Sequence, residues 1–219
     1  MAESVPILHR DEQLLVVDKP AGVLSVPDRS STERSVPELL ARAGIEAIPV
    51  HRLDRDVSGA LILALDEETR AALEKLFRER ALKKTYWALA QGNVRPHQGA
   101  WQFPILEDGP IARVSALGLK SQTRYRTLEA LPGSSVLEID LVTGRKNQIR
   151  LHAAHAGFPL AGERKYARGK EATLRFKSRR VALHAWRLAF THPRTGKALQ
   201  VEAPLPPDLQ ELLARARKG

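Results

Sequence analysis

The sequence predicts an α+β fold: a mixed, mainly antiparallel β-sheet with flanking helices. Three observations predict it. Gln122–Glu129 and Ser135–Val142 alternate apolar and polar residues on either side of Leu131-Pro-Gly-Ser134, which is the pattern of a β-hairpin. Two segments, Ser35–Ala43 and Asp66–Arg80, open with helix-start signals and continue with helical spacing. Other runs of strand length recur from Leu14 to Ala203, with no internal repeat and no domain linker, so residues 1–219 are expected to form one domain.

Taken in order, Leu14–Asp18 is a short β-rich run and Lys19-Pro-Ala-Gly22 a turn. Val23–Val26 reads as a second strand closed by Pro27, and 28–34 as a loop. Ser35 and Glu38 form a capping box for a helix that Gly44 stops. The segment Pro49–Leu65 then sets His51, Arg52, Asp54, Arg55 and Asp56 against a Ser58-Gly59 turn and a buried strand from Ala60 to Leu65. Asp66 caps a helix over Glu67–Arg80 that has Leu73, Leu76 and Phe77 on one face. Arg70/Glu74, Glu74/Arg78 and Lys75/Glu79 are its four-apart pairs. Lys84–Ala90 is a strand on which Tyr86 faces away from Trp87. Residues 92–120 are rich in turns, with a short strand at Trp101–Phe103. Thr143-Gly-Arg145 turns into a helix over Asn147–Ala156. Val181–Thr191 and Leu199–Ala203 are the last strands, and Pro206–Arg217 is a basic helix.

Composition narrows the function. Hydrophobic residues at 43% exclude wholesale disorder, and the absence of cysteine excludes disulfides and thiolate metal sites. Met1–Arg10 lacks a signal-peptide pattern and no apolar run is long enough to span a membrane, so a cytoplasmic location and no membrane partner are expected. The net charge of +10 points to a polyanion. Much of it lies in Arg164–Arg180, where eight basic residues, among them Arg164, Lys165, Arg168 and Lys170, face one acid, Glu171. Tyr166 and Phe176 are interleaved there and suit contact with bases or sugars, although a plain solvated loop has the same composition.

The histidines lack metal-site spacing and context; His152/His155 are close, but with no HExxH-like surroundings. No phosphate-binding glycine loop is present, so neither metal nor cofactor is expected. Ser58 does not sit in a nucleophile elbow. What remains is a carboxylate, Asp54, framed by arginines. On an extended segment Arg52 and Asp54 project to one side. Arginine beside a carboxylate keeps it ionised, which suits a nucleophile or base. The same cluster also fits an exposed loop with surface ion pairs.

The motifs resolve this ambiguity. His51–Gly59 (HRLDRDVSG) resembles the HRLDxxTSG signature of the RluA family of pseudouridine synthases. Lys84-Thr-Tyr86 is similar to its K-x-Y segment, and Thr143–His152 (TGRKNQIRLH) to its TGRxxQIRxH segment. Val17–Pro27, Gly157–Tyr166, Leu183–Ala185 and Phe190–Gly196 resemble further family stretches in the same order, so the likeness runs from about residue 14 to 204.

This resemblance implies the pseudouridine synthase catalytic fold and isomerisation of uridine in structured ribosomal or transfer RNA, with the uridine flipped out of its stack. It implies catalytic roles for Asp54, Tyr86 and Arg150, the last paired with the aspartate. Arg52 would fill the gap left by the flipped nucleotide, Ile149 would line the uracil pocket, and Arg145 and Asn147 would contact RNA. Val57, Lys146-Asn147 and Glu163 depart from the usual pattern, which calls for Thr, Thr-His and Asp. A compact monomer without an S4 domain is expected, holding RNA through the basic loop and the C-terminal helix.

Overall fold

The computed structural model describes residues 5–28, 30–109, 111–167 and 178–219. In chain order the elements begin with β1 (Ile7–Arg10), β2 (Leu14–Lys19), α1 (Val36–Arg42), β3 (Ile48–Pro49), β4 (Ser58–Ala64) and α2 (Glu67–Arg78). They continue with β5 (Lys83–Gln91), β6 (Gln98–Trp101), β7 (Ile105–Leu106), β8 (Arg113–Val114), β9 (Thr123–Leu131) and β10 (Ser134–Leu141). The last are α3 (Gln148–His155), β11 (Leu183–Thr191), β12 (Ala198–Glu202) and α4 (Pro207–Lys218). The class is α+β, as expected. The elements gather into two compact units, residues 1–84 with 184–205 and residues 85–183 with 206–219.

In the first unit the strand order is β1-β2-β4-β11, with β3 beside β4 and β12 beside β11. All seven residues of β4 are buried, which is why its sequence is a continuous apolar run and not an alternating one. Leu14, Val16, Ile62, Leu73, Leu188 and Phe190 form the core. Each large side chain buried there contributes about 1.5–3 kcal/mol. Asp66 caps α2 by accepting from the Thr69 N–H at 2.7 Å, and Ser35 and Glu38 form the reciprocal box that starts α1.

Two expectations fail here for identifiable reasons. Ser58-Gly59 is not a turn but the start of β4, because Gly59 is laddered to Lys19 on one side and Ala185 on the other. Glycine is still required: φ is +116°, and a Cβ would lie 2.3 Å from the Ala185 carbonyl oxygen. Val23–Val26 is not a strand; Leu24 alone bridges to Ser35, and the Ser25 hydroxyl is used to hold Leu53. The short strands β1 and β3 have no signal in the sequence strong enough to separate them from loop.

The second unit has the order β5-β10-β9-β6, antiparallel throughout, with Tyr86 opposite Ile139. The β9–β10 hairpin turns at Pro132-Gly133. The strand expected at Trp101–Phe103 lies earlier, as β6, and ends where Trp101 stacks on Tyr125 with ring centroids 4.5 Å apart. Ile105, Ala112 and Leu151 form a small cluster that seats the β7–β8 hairpin on α3. Ion pairs Arg180–Asp208 and Arg217–Glu129 tie α4 to this unit. Among the described residues no helix is long and apolar enough to cross a membrane.

Candidate active site

Asp54 lies in the first unit, half-buried, on the irregular segment between β3 and β4. Irregular backbone has no ladder to hold it, so its peptides must find partners elsewhere. Here they are held on both sides of the aspartate. The Leu53 N–H donates to the Ser25 hydroxyl and the Leu53 carbonyl accepts from it, both at 2.9 Å. The Arg55 carbonyl accepts from the Lys19 ammonium at 3.0 Å and from the Gly22 N–H at 2.8 Å. The Asp54 carbonyl itself accepts from the Val57 N–H at 3.0 Å.

Lys19 is fully buried at the end of β2, and its ammonium also donates to the carbonyls of Pro20 at 2.8 Å and Val23 at 2.7 Å. A buried cation is tolerated only when it is saturated in this way. Its charge strengthens each bond, so residues 20–23 and 55 are drawn to one point.

His51 extends the β3–β4 pairing with its side chain: Nε2 accepts from the Ile62 N–H at 3.0 Å, and the ring stacks on Phe77 at 4.6 Å. Burial, aided by the charge of Lys84, pushes this imidazole down to about 3, so it is neutral and serves as an acceptor. Burial also lowers Lys84, whose ammonium stands 5.4 Å from the centre of the Phe77 ring. At the other end of the segment the Ser58 hydroxyl meets His184 Nδ1 at 2.8 Å. His184 Nε2 lies 3.2 Å from the Ala203 carbonyl, which can only accept. That fixes the tautomer: Nε2 carries the proton and Nδ1 accepts from Ser58. Arg52 is exposed, and Arg55 pairs with Glu33 and, at 3.2 Å, with Asp56.

Tyr86, Ile149 and Arg150 belong to the second unit. Tyr86 sits in β5 with 7% of its surface exposed, and Ile149, at 3%, is buried on the first turn of α3. Arg150 makes a two-pronged pair with Glu163: Nε donates to Oε2 at 2.7 Å and Nη2 to Oε1 at 3.0 Å. The loop before α3 is fastened by Gln148. Its Oε1 accepts from the Thr143 hydroxyl and the Arg145 N–H, and its Nε2 donates to the Gln122 carbonyl and the Thr123 hydroxyl. Asn147 adopts the left-handed conformation, with φ 54°, and donates to the Tyr166 hydroxyl at 2.8 Å. Arg145 is half-buried, and among the described residues its Nε has no hydrogen-bond partner. Arg164 and Lys165 are exposed, and the Lys165 ammonium lies 5.8 Å from the centre of the Tyr166 ring. Arg168 and Lys170 fall outside the described residues. Among the described residues no cluster of three or more His, Asp or Glu side chains could hold a metal ion.

Three residues with evident work to do had no assigned role in the sequence: Lys19, Ser25 and Glu163. A lysine at the end of the apolar run LLVVDK was a usable signal for burial. Glu163 stands at the acidic position of the Gly157–Tyr166 family stretch, and Ser25 carries no signal of comparable strength.

The family model described as RNA pseudouridylate synthase matches residues 13–155. The chain is 37% identical to "Ribosomal large subunit pseudouridine synthase D" of Nitrosomonas europaea, over 99% of this chain and 67% of that one. It is 35% identical to "Ribosomal large subunit pseudouridine synthase C" of Pasteurella multocida, over 97% of this chain and 68% of that one. Among solved structures, "Human RNA Pseudouridylate Synthase Domain Containing 4" superposes with a TM-score of 0.80 at 25% identity, covering 97% of this chain and 93% of that chain. The motifs in the sequence and these matches agree: the chain belongs to the RNA pseudouridylate synthase family, isomerases that convert uridine to pseudouridine in RNA.

Proposed function

We propose that this chain modifies a uridine of ribosomal RNA, with Asp54 as the carboxylate that opens the glycosidic bond and Tyr86 and Arg150 as its partners in catalysis. The observation that carries the reading is the Asp54 segment: a carboxylate within reach of solvent, on peptides bolted to buried groups at Leu53 and Arg55. Such pre-organisation is what positions a nucleophile or base. The names of the two bacterial relatives support ribosomal RNA as the substrate class.

In this reading the N1–C1′ bond breaks and its electron pair leaves with the uracil. Asp54 either attacks C1′ or takes the C2′ proton to give a glycal; both routes use the carboxylate in its ionised form. The uracil turns, C5 bonds to C1′, and the proton lost from C5, with help from Tyr86, is matched by one gained at N1. No atom is gained or lost, so no co-reactant is needed. The reacting base must leave its stack, and water must be kept from C1′. Arg52 occupies the gap in the RNA and Ile149 lines the uracil pocket. Arg145, Asn147, Arg164 and Lys165 contact the RNA around it. The protein works as a monomer in the cytoplasm.

Release of tritium from RNA labelled at uracil C5 tests the reading. Asp54→Asn is expected to abolish release while RNA affinity stays within about twofold. Release at the wild-type rate would remove Asp54 from the mechanism. Free uracil would signal a hydrolase, and RNA binding with no release by the wild type would signal a silent RNA-binding module. Assay on ribosomal and transfer RNA in parallel tests the substrate class.

A further inference from the structure

We propose that Glu163 is a positioning residue for the isomerisation: its buried carboxylate, together with Tyr166, sets the direction in which Arg150 presents its guanidinium to the reaction. The proposal rests on the role given to Arg150 above.

Glu163 has no exposed side-chain surface and Arg150 only 11%. The carboxylate takes four donors: Nε and Nη2 of Arg150, the Lys165 N–H at 2.7 Å and the Tyr166 N–H at 3.2 Å. A buried ion pair is a poor device for stability alone, because desolvating both charges offsets their attraction and an apolar pair serves as well. What the pair does supply is direction. A planar guanidinium gripped along its Nε–Nη2 edge can neither rotate nor withdraw, and its Nη1 side is turned away from Glu163.

Tyr166 adds a second contact. Its ring centre lies 5.8 Å from the Arg150 Cζ, and its hydroxyl accepts from Asn147, three residues before Arg150 at the start of α3. One short turn, 163–166, therefore grips the arginine and the helix end that carries it. The turn is itself mounted on β5: Leu160 bridges to Ala90, and the Ala161 N–H donates to the Leu89 carbonyl at 2.8 Å. Gly162, with φ +77°, lets the turn lie against the Arg180 backbone, where a Cβ would stand 2.0 Å from the carbonyl oxygen. Because β5 also carries Tyr86, the direction of Arg150 and the place of Tyr86 are set in one frame.

Single-turnover kinetics on the full chain test the proposal. Glu163→Gln is expected to lower kcat by about 30-fold or more with KM and RNA affinity within about twofold, since a shift of about 1 Å in a positioned group costs on that order. Glu163→Asp, which keeps the charge, should recover a substantial part of the loss. Tyr166→Phe removes the strut to Asn147 but spares the ion pair, and should lower kcat by about three- to tenfold at unchanged melting temperature. A folded Glu163→Gln with wild-type kcat, or a loss carried by KM, overturns the proposal. If Glu163→Gln does not fold, Tyr166→Phe decides: wild-type kcat overturns the proposal and a lowered kcat at unchanged KM supports it. An Asp54→Asn variant that stays active would instead defeat the reading on which the proposal rests, so the two failures are distinct.

Discussion

The segment around Asp54 and the turn around Arg150 solve one problem by opposite means. Asp54 sits on irregular backbone, and buried groups hold the peptides of that segment: the Leu53 N–H and carbonyl are tied to Ser25 and the Arg55 carbonyl to Lys19. Arg150 sits on a helix whose peptides already bond to one another, so what is fixed is the side chain, by the Glu163 fork. The difference follows from which freedoms each local structure leaves open. A loop must be held by its backbone, because a short aspartate has few torsions of its own. A long arginine on a rigid helix must be held at its tip.

This contrast yields a graded set of expectations. Lys19→Met should have the largest effect, because it removes the ammonium bonded to the Pro20 and Val23 carbonyls and leaves the Arg55 carbonyl with Gly22 alone. Each buried group left unpaired costs about 1–3 kcal/mol, so denaturant titration should show a loss of several kcal/mol, with kcat down by about 100-fold or more in whatever remains folded. Ser25→Ala should cost about 1–2 kcal/mol and lower kcat by about tenfold with little change in RNA affinity, as the Leu53 peptide loses both its bonds. An unchanged kcat would mean that the Leu53 tie does not position Asp54.

Acid sensitivity is a separate expectation, spread over several pH units. His51 is held near 3, against 6.5 for the free side chain. The unfolded chain therefore binds a proton that the folded one refuses, and stability falls as pH drops from 6.5 towards about 3. The slope contributed is no more than about 1.4 kcal/mol per pH unit. His51→Gln, which keeps an acceptor for the Ile62 N–H, should flatten that part of the stability curve; an unaltered slope would place the sensitivity elsewhere. Arg55→Ala should be smallest, within about 0.5 kcal/mol and with little effect on kcat, since its ion pairs with Glu33 and Asp56 are exposed.

Much of the fold could be read from the chain because its signals are local. The Ser35–Glu38 box, the Asp66 cap, the β9–β10 hairpin and the buried run of β4 each announce themselves within a few residues. Gly59 was misplaced because its neighbours in space, Lys19 and Ala185, are far away in sequence, and the ladder they form overrides turn preference. The site was half legible in the same sense. Asp54, Tyr86 and Arg150 stand in recognised motifs, whereas the buried groups tied to the peptides beside Asp54 carry no such mark. Lys19 acts on a carbonyl 36 residues away and Ser25 on one 28 away, and any residue type presents that same carbonyl. A backbone acceptor leaves no trace in the identity of the residue that supplies it.

The doubly held Arg55 carbonyl has a corollary for how this enzyme can change. Both lone pairs of that oxygen are engaged, by Lys19 and by Gly22, whichever side chain residue 55 carries. Variation at 55 is thus decoupled from the placement of its neighbour, Asp54. Such a position can drift, or be randomised in a library, to explore new contacts one residue from the Asp54 carboxylate without disturbing it.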